Sequence, residues 1–381
     1  MTKRFVSAFG IIAVIVMMVT FVDAVVPSSV HAAETVKIGW YGPTSGSNAQ
    51  DGQDGRLGAE IARDLVNAEG GINGRQVEIA FADDKGDPKE GASIATKFAS
   101  DKDIIGVAGP FNSSVMLAAA PIYNRAKLPN VGWGVSSPLI TTAGDYIYRV
   151  QFTDSLGGDF VAKWMVEEEG FKKVAVVYEN TDYGVGLLEV MRKSVLAYGG
   201  EIVAEASYMQ GQTKDFSSII TSVKNAAPDA IFMGSVYNET ALFCVQARDL
   251  GLTAPVFGTD GLFSDGLLDL GGAAVEGLRC FCVFFHEFDS PSVQKLVKAY
   301  GEKTGKIPST WVALSYDATM AVIEAIRKTD ARSREDVKKG LDNLGVFEGA
   351  TGKMQFDENG DVLKDFSKII VKDGKFIPYK K

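Results

Sequence analysis

The sequence predicts an α/β protein of two doubly wound parallel-sheet lobes joined by a multi-strand hinge, and three observations carry that prediction. Short apolar, strand-like runs alternate with segments of helical period along nearly the whole chain. At 381 residues the chain exceeds what one compact core organises well. No long Pro/Ser-rich linker separates the halves, so the chain is expected to pass between lobes several times through short connections, which makes a hinge around a cleft.

The elements follow in order. Lys3 and Arg4 precede an apolar run from Phe5 to Phe21, and PSSVHAAE comes next with Val30 and Ala32 at the small-residue positions of a cleavage site. This reads as a removable leader, residues 1–32, cut between Ala32 and Ala33. VKIGWYG from Val36 is a buried strand, and Leu57, Ile61 and Leu65 lie at helical spacing with Ala62 and Val66 widening the stripe. GGINGR is a turn and QVEIAFAD a strand. Asp87-Pro88 starts a helix whose apolar face is Ile94, Ala95, Phe98 and Ala99: Asp caps free amides and Pro fits the first helical position. IIGVAG is a strand, a helix begins near Ser114, and NVGWG is a further strand.

From Tyr148 a second, similar series begins. VAVVYEN leads to a helix from Tyr183, EIVAEASY to one from Phe216, AIFMGS to one from Glu239, and APVFGTD follows. After GLRCFCVFF, helices start near Pro291, Thr310 and Ser333, and the tail from Gly349 is strand-like with Asn-Gly and Asp-Gly turns. Alternation of this kind implies parallel sheets covered on both faces. The expected division is 33–150 with 284–352 for the first lobe and 151–283 with 353–381 for the second.

Composition narrows the function. A net charge of −9 argues against nucleic acid or an anionic membrane as partner. Only His31 and His286 occur, and His31 leaves with the leader, which removes most Ser–His and Cys–His catalytic schemes unless His286 is the base. There is no G-x-S-x-G elbow and no G-x-x-x-x-G-K-[ST] loop, and GWGVSS lacks the third glycine of a dinucleotide fingerprint. Cys280, Cys282 and His286 share strand parity, yet Phe281, Val283 and Phe285 make the other face equally apolar, as in a strand buried on both sides; the cysteines read as core residues and no metal is expected. Cys244, Cys280 and Cys282 permit one disulfide and a free thiol, or none.

A site for a zwitterion is better supported. A carboxylate wants hydroxyls and backbone amides at a helix N-terminus, an ammonium wants a carboxylate, and in open α/β sheets such groups belong after the C-terminal ends of strands. Ser113-Ser114 follows IIGVAG, Ser136-Ser137 follows NVGWG and Asp260 follows APVFG. Each alone also reads as a cap or turn; the corresponding positions of all three point to a ligand.

The stretch VKIGWYGPTSGSNAQDGQDGRLGAEIARDLVNAEGGINGRQVEIAFADDKGDPKEG, together with NTDYGVG, KDFSSII, QARDLGL and FGTDG, resembles the periplasmic branched-chain amino acid binding proteins, in order and over nearly all of the chain after the leader. The resemblance implies a type I periplasmic binding fold and the solute-binding component of an ABC importer: a monomer, without cofactor or catalytic activity, taking a small aliphatic amino acid and delivering it to inner-membrane permease subunits with their ATPases. It implies carboxylate contacts from Ser113 and Ser136 with the backbone at Gly134, an ammonium contact from Asp260, Tyr183 of the D-Y-G motif lining the second lobe, and Trp311 covering the ligand side chain. Three positions depart from the family pattern. Asp51 stands where an aromatic is common, Val236 stands where some members have tyrosine with Tyr237 next to it, and Gly86 and Asn112 replace the cysteines of a first-lobe disulfide. Asp51 is thus expected either to favour a more polar ligand or to face water. The same fold would also serve an amide, urea or aromatic acid, against which the charge of Asp260 argues, or a sensing module.

Overall fold

The structure is a computed structural model that describes residues 34–380; the leader and its cleavage site lie outside them. The first sheet and its helices run β1 (Thr35–Gly42), α1 (Ala49–Ala68), β2 (Gln76–Asp83), α2 (Pro88–Ser100), β3 (Ile104–Ala108), α3 (Ser113–Ala126), β4 (Asn130–Gly132) and β5 (Ile147–Arg149). The strands lie in the order β2-β1-β3-β4-β5, and every pairing is parallel.

The chain then builds a second sheet through α4 (Asp154–Lys163), β6 (Lys173–Glu179), α5 (Asp182–Ala197), β7 (Glu201–Tyr208), α6 (Ser217–Asn225), β8 (Ala230–Gly234), α7 (Tyr237–Asp249), β9 (Val256–Gly258), α8 (Asp265–Gly271) and β10 (Arg279–Cys282). It returns for α9 (Pro291–Thr304), α10 (Thr310–Thr329), α11 (Arg334–Asp342) and the short hairpin β11 (Phe347–Gly349) and β12 (Gly352–Met354). It ends with β13 (Ser367–Lys372) and β14 (Lys375–Pro378), giving the order β14-β13-β10-β9-β8-β6-β7. Residues 150–153, 283–290 and 355–366 are thus three connections between the elements of one sheet and those of the other.

The strands read as apolar runs because helices cover both faces of each sheet. In β3 and β8 every residue is buried. Helix α10 is buried on nearly all sides: it packs on α1 so closely that a Cβ on Gly58 would lie 2.2 Å from the Val312 carbonyl oxygen, which only glycine permits.

Several elements differ from expectation. The second sheet is mixed, because β13 and β14 pair antiparallel with β10 and with each other. The strand expected over Asn130–Gly134 stops at Gly132, where the amides of Trp133 and Gly134 turn aside to the Pro110 carbonyl, both at 3.2 Å. Helix α7 begins at Tyr237, two residues before the expected start. Helices α4 and α8 were not anticipated. Cys244, Cys280 and Cys282 are all buried free thiols. Among the described residues no helix is long and apolar enough to cross a membrane.

Both sheets reverse strand direction of growth at one place, between β1 and β3 and between β6 and β8. Ligands in open α/β sheets sit at such switch points, beyond the carboxyl ends of the strands.

Candidate functional site

A cavity of about 470 Å³ lies at those strand ends, lined from both sheets, within the ordinary range of small-molecule sites, about 300–1,000 Å³. Ser113, Gly134, Ser136, Tyr183, Asp260 and Trp311 all line it. The structure therefore brings these six residues together, with Ser114 beside them, whereas Ser137 does not line the cavity.

From the first sheet comes the start of α3. Its N-cap, Asn112, makes no side-chain cap hydrogen bond, so the first-turn amides and the positive end of the helix dipole are left for another acceptor. The Ser113 hydroxyl oxygen accepts from the amides of Ser136 (3.3 Å) and Ser137 (3.2 Å). Both its lone-pair directions are thus engaged, and its proton is free to be donated. Gly134 lies on this wall because a Cβ there would sit 2.5 Å from the Phe111 ring; its amide is committed to Pro110. Phe111 and Trp311 meet edge to face at 4.9 Å and form the apolar part of the lining. The Trp311 indole N–H is buried without a hydrogen-bond partner in the structure.

The second sheet contributes acids. Asp260, 3 % exposed, accepts a 2.7 Å hydrogen bond from the Gln151 side-chain amide, and burial pushes its carboxyl up to about 7. Glu179 at the end of β6 is also buried; Thr181 donates to one oxygen at 2.7 Å, the other has no partner, and burial raises it to about 8. Asp154, in the first turn of α4, is fully buried with neither carboxylate oxygen hydrogen-bonded. Burial drives it well above the usual carboxylate range; the Ser136 hydroxyl and the charge of Arg149 offset part of this, and the charges of Asp260 and Glu179 add to it. The Tyr183 hydroxyl shares a 2.7 Å hydrogen bond with Thr259. No Lys, Arg or His is among the residues lining the cavity.

The walls touch around the cavity. The Asp182 amide donates to the Ser114 hydroxyl (3.2 Å), the Asn238 side chain to the Ser47 carbonyl (3.1 Å) and Gln210 to Asn48 (3.4 Å). Gln151, Glu179 and Asp154 were not found by sequence reasoning. Glu179 and Asp154 looked like a strand end and a helix start, and only their burial with carboxylate oxygens left unpartnered marks them.

The three departures resolve locally. Asp51 does not face water: it is 1 % exposed with both oxygens unpartnered, burial with the help of nearby Asp54 raises its pKa strongly, and it does not line the cavity. Val236 lines the cavity, whereas Tyr237 packs under Gly266. Gly86 and Asn112 face each other, a Cβ on Gly86 lying 3.3 Å from the Asn112 amide oxygen. Among the described residues no three His, Cys, Asp or Glu side chains gather as a metal site.

Comparison with known proteins gives one consistent result. The periplasmic binding protein family profile matches residues 35–367. The leucine-, isoleucine-, valine-, threonine- and alanine-binding protein of Pseudomonas aeruginosa is 31% identical over 336 residues, covering 88% of this chain and 89% of that protein. The leucine binding protein LivK of Thermotoga maritima superposes with a TM-score of 0.86 at 31% identity, covering 91% of this chain and 98% of that one. LivJ of Streptococcus pneumoniae, the substrate-binding protein of a branched-chain amino acid transporter, crystallised with isoleucine, gives 0.84 at 30% identity, covering 90% and 98%. These relatives bind solutes and are not enzymes. With its two α/β sheets, its cavity at their switch points and this extent of likeness, the chain belongs to the periplasmic binding protein family, among the substrate-binding proteins of ABC transporters.

Proposed function

We propose that the protein captures a small aliphatic amino acid in the periplasm and delivers it to the permease of an ABC importer. The observation that carries this reading is Asp260: a buried carboxylate at the cavity with no Lys, Arg or His beside it among the described residues, opposite an uncapped helix N-terminus that bears a free hydroxyl proton. An α-amino acid supplies both missing charges. Its carboxylate takes the amides at the start of α3 and the hydroxyls of Ser113 and Ser136; its ammonium takes Asp260, with Tyr183 beside it; its side chain lies against Trp311 and Phe111.

In this reading residues 33–150 with 284–352 form one lobe, 151–283 with 353–381 the other, and the three connections form the hinge. Because both lobes hold opposite ends of one ligand, binding favours the closed cleft, and the closed surface is what a permease reads. Calorimetry with a panel of amino acids tests the proposal. Wild type binds an aliphatic member, and Asp260→Ala loses about 3–5 kcal/mol of affinity. Unchanged affinity in the variant removes Asp260 from the site.

A further inference from the structure

Resting on that function, we infer that Gln151 is a positioning residue for amino-acid recognition: from the connection between the sheets, its side-chain amide holds the Asp260 carboxylate in place for the ligand ammonium. Gln151 is 1 % exposed and lines the cavity. It follows β5 of the first sheet by two residues and precedes α4, so it belongs to neither sheet. Its two ends are both engaged. The Nε2 group donates to Asp260 at 2.7 Å, while the Oε1 atom accepts the Phe152 amide at 3.2 Å, which fixes the orientation of the side-chain amide and turns its N–H toward the acid.

Among the described residues this contact is the one side-chain donor to Asp260. It favours the ionised carboxylate, opposing the burial that favours the protonated one. The backbone amides of Gly261 and Asp260 favour ionisation as well, and Arg149 acts on the neighbouring Asp154, but the titratable side chains around Asp260 are acids, a phenol and thiols. Asp154 on α4, Tyr183 on α5 and Cys280 and Cys282 on β10 feel its charge, and Glu179 on β6 acts on Asp154 and Tyr183. An ammonium can pair only with the ionised acid, so Gln151, together with the local backbone amides, raises the fraction of the protein competent to bind at neutral pH.

The test uses Gln151→Met, close in volume and without a donor, beside wild type, with L-leucine, L-isoleucine, L-valine and L-alanine as titrants from pH 6 to pH 9. Loss of a charge-assisted hydrogen bond weakens binding about 10- to 100-fold at pH 7, and the ratio of the two affinities shrinks as pH rises and Asp260 ionises in both proteins. A purely structural role gives the same ratio at every pH and overturns the inference. Carbon-13 NMR of the ligand-free protein, with Asp260 assigned by Asp260→Asn, is the second arm: the Asp260 titration moves up in Gln151→Met by about one unit or more, and an unmoved titration also overturns the inference. Failure of all four titrants to bind wild type would overturn the amino-acid function instead, and the NMR arm would still decide the coupling of Gln151 to Asp260.

Discussion

Two buried charged regions of this protein are built on opposite rules. At the connections, the fully buried Arg149 donates to Asp361 at 2.6 Å, to the Ser137 carbonyl at 2.8 Å and to Thr141 at 2.7 Å. Asp361 in turn accepts from Thr141 at 2.6 Å. Every charge there has its partner within the chain. At the cavity, Asp260 and Glu179 are also removed from water and line it with neutral hydrogen-bond donors but no cation beside them. Asp154 is buried with neither oxygen hydrogen-bonded, and the charge of Arg149 offsets only part of its burial. A charge buried without a partner costs several kcal/mol unless it is neutralised. The first region holds the structure in place; the second is stable chiefly as protonated acids until something cationic arrives.

The largest effect comes from breaking the self-contained region. Arg149→Ala leaves Asp361 unpaired beside the connection and is expected to cost about 3–5 kcal/mol in urea unfolding, and Arg149→Met combined with Asp361→Leu should recover much of that. If the double variant is no better than the single one, the loss lies in the contacts to Ser137 and Thr141 rather than in the uncompensated charge.

Next is the opposite sign at the cavity. Glu179 keeps its proton in the folded protein up to about pH 8, whereas the unfolded side chain loses it near pH 4.3. The folded state therefore binds more protons across that window, and this acid lowers ligand-free stability progressively as pH rises from about 4 to 8, with the full penalty above. Glu179→Gln is expected to stabilise the ligand-free protein by about 2 kcal/mol at pH 8.5, with the gain shrinking toward zero at pH 4.5. Melting curves at both pH values decide this, and a gain that does not depend on pH contradicts it.

The smallest effect separates donors from acids. Ser113→Ala removes a hydroxyl donor to the ligand carboxylate and should weaken amino-acid binding by about 1.5 kcal/mol, the low end for a hydrogen bond to a charged group, by the same factor from pH 6 to pH 9. A pH-dependent loss would place Ser113 in the acid network instead of on the carboxylate side.

Much of the architecture was legible in the sequence because covered parallel strands must be apolar throughout and their helices amphipathic; β1, β3, β6 and β8 each show this directly. Helix α4 escaped notice because Gly157 and Gly158 interrupt its helical pattern, and α8 because a seven-residue helix shows too few turns for a period. The cavity residues Ser113, Ser136 and Asp260 were legible because each follows a strand end at a corresponding position, although any one of them alone reads as a cap or turn. Gln151 was not: a single amide on a connection has no periodicity and no motif, and its meaning lies wholly in the acid it touches. Asp51 shows the converse, since its type was visible but its burial away from the cavity was not.

The last hairpin has a consequence for how the chain is made. Strand β10 meets β9 at one register pair, Arg279 with Phe257, but matches β13 at all four of its residues, from Arg279 with Ile370 to Cys282 with Ser367. Synthesis proceeds from the N-terminus, so this apolar strand waits with a bare edge until the chain is almost finished, and an unpaired apolar edge invites pairing with other chains. A stop codon between Met354 and Ser367 would thus do more than shorten the protein: it would leave Arg279–Cys282 open to aggregation, although every strand of the first sheet, and helices α10 and α11 that pack on it, would already have been made.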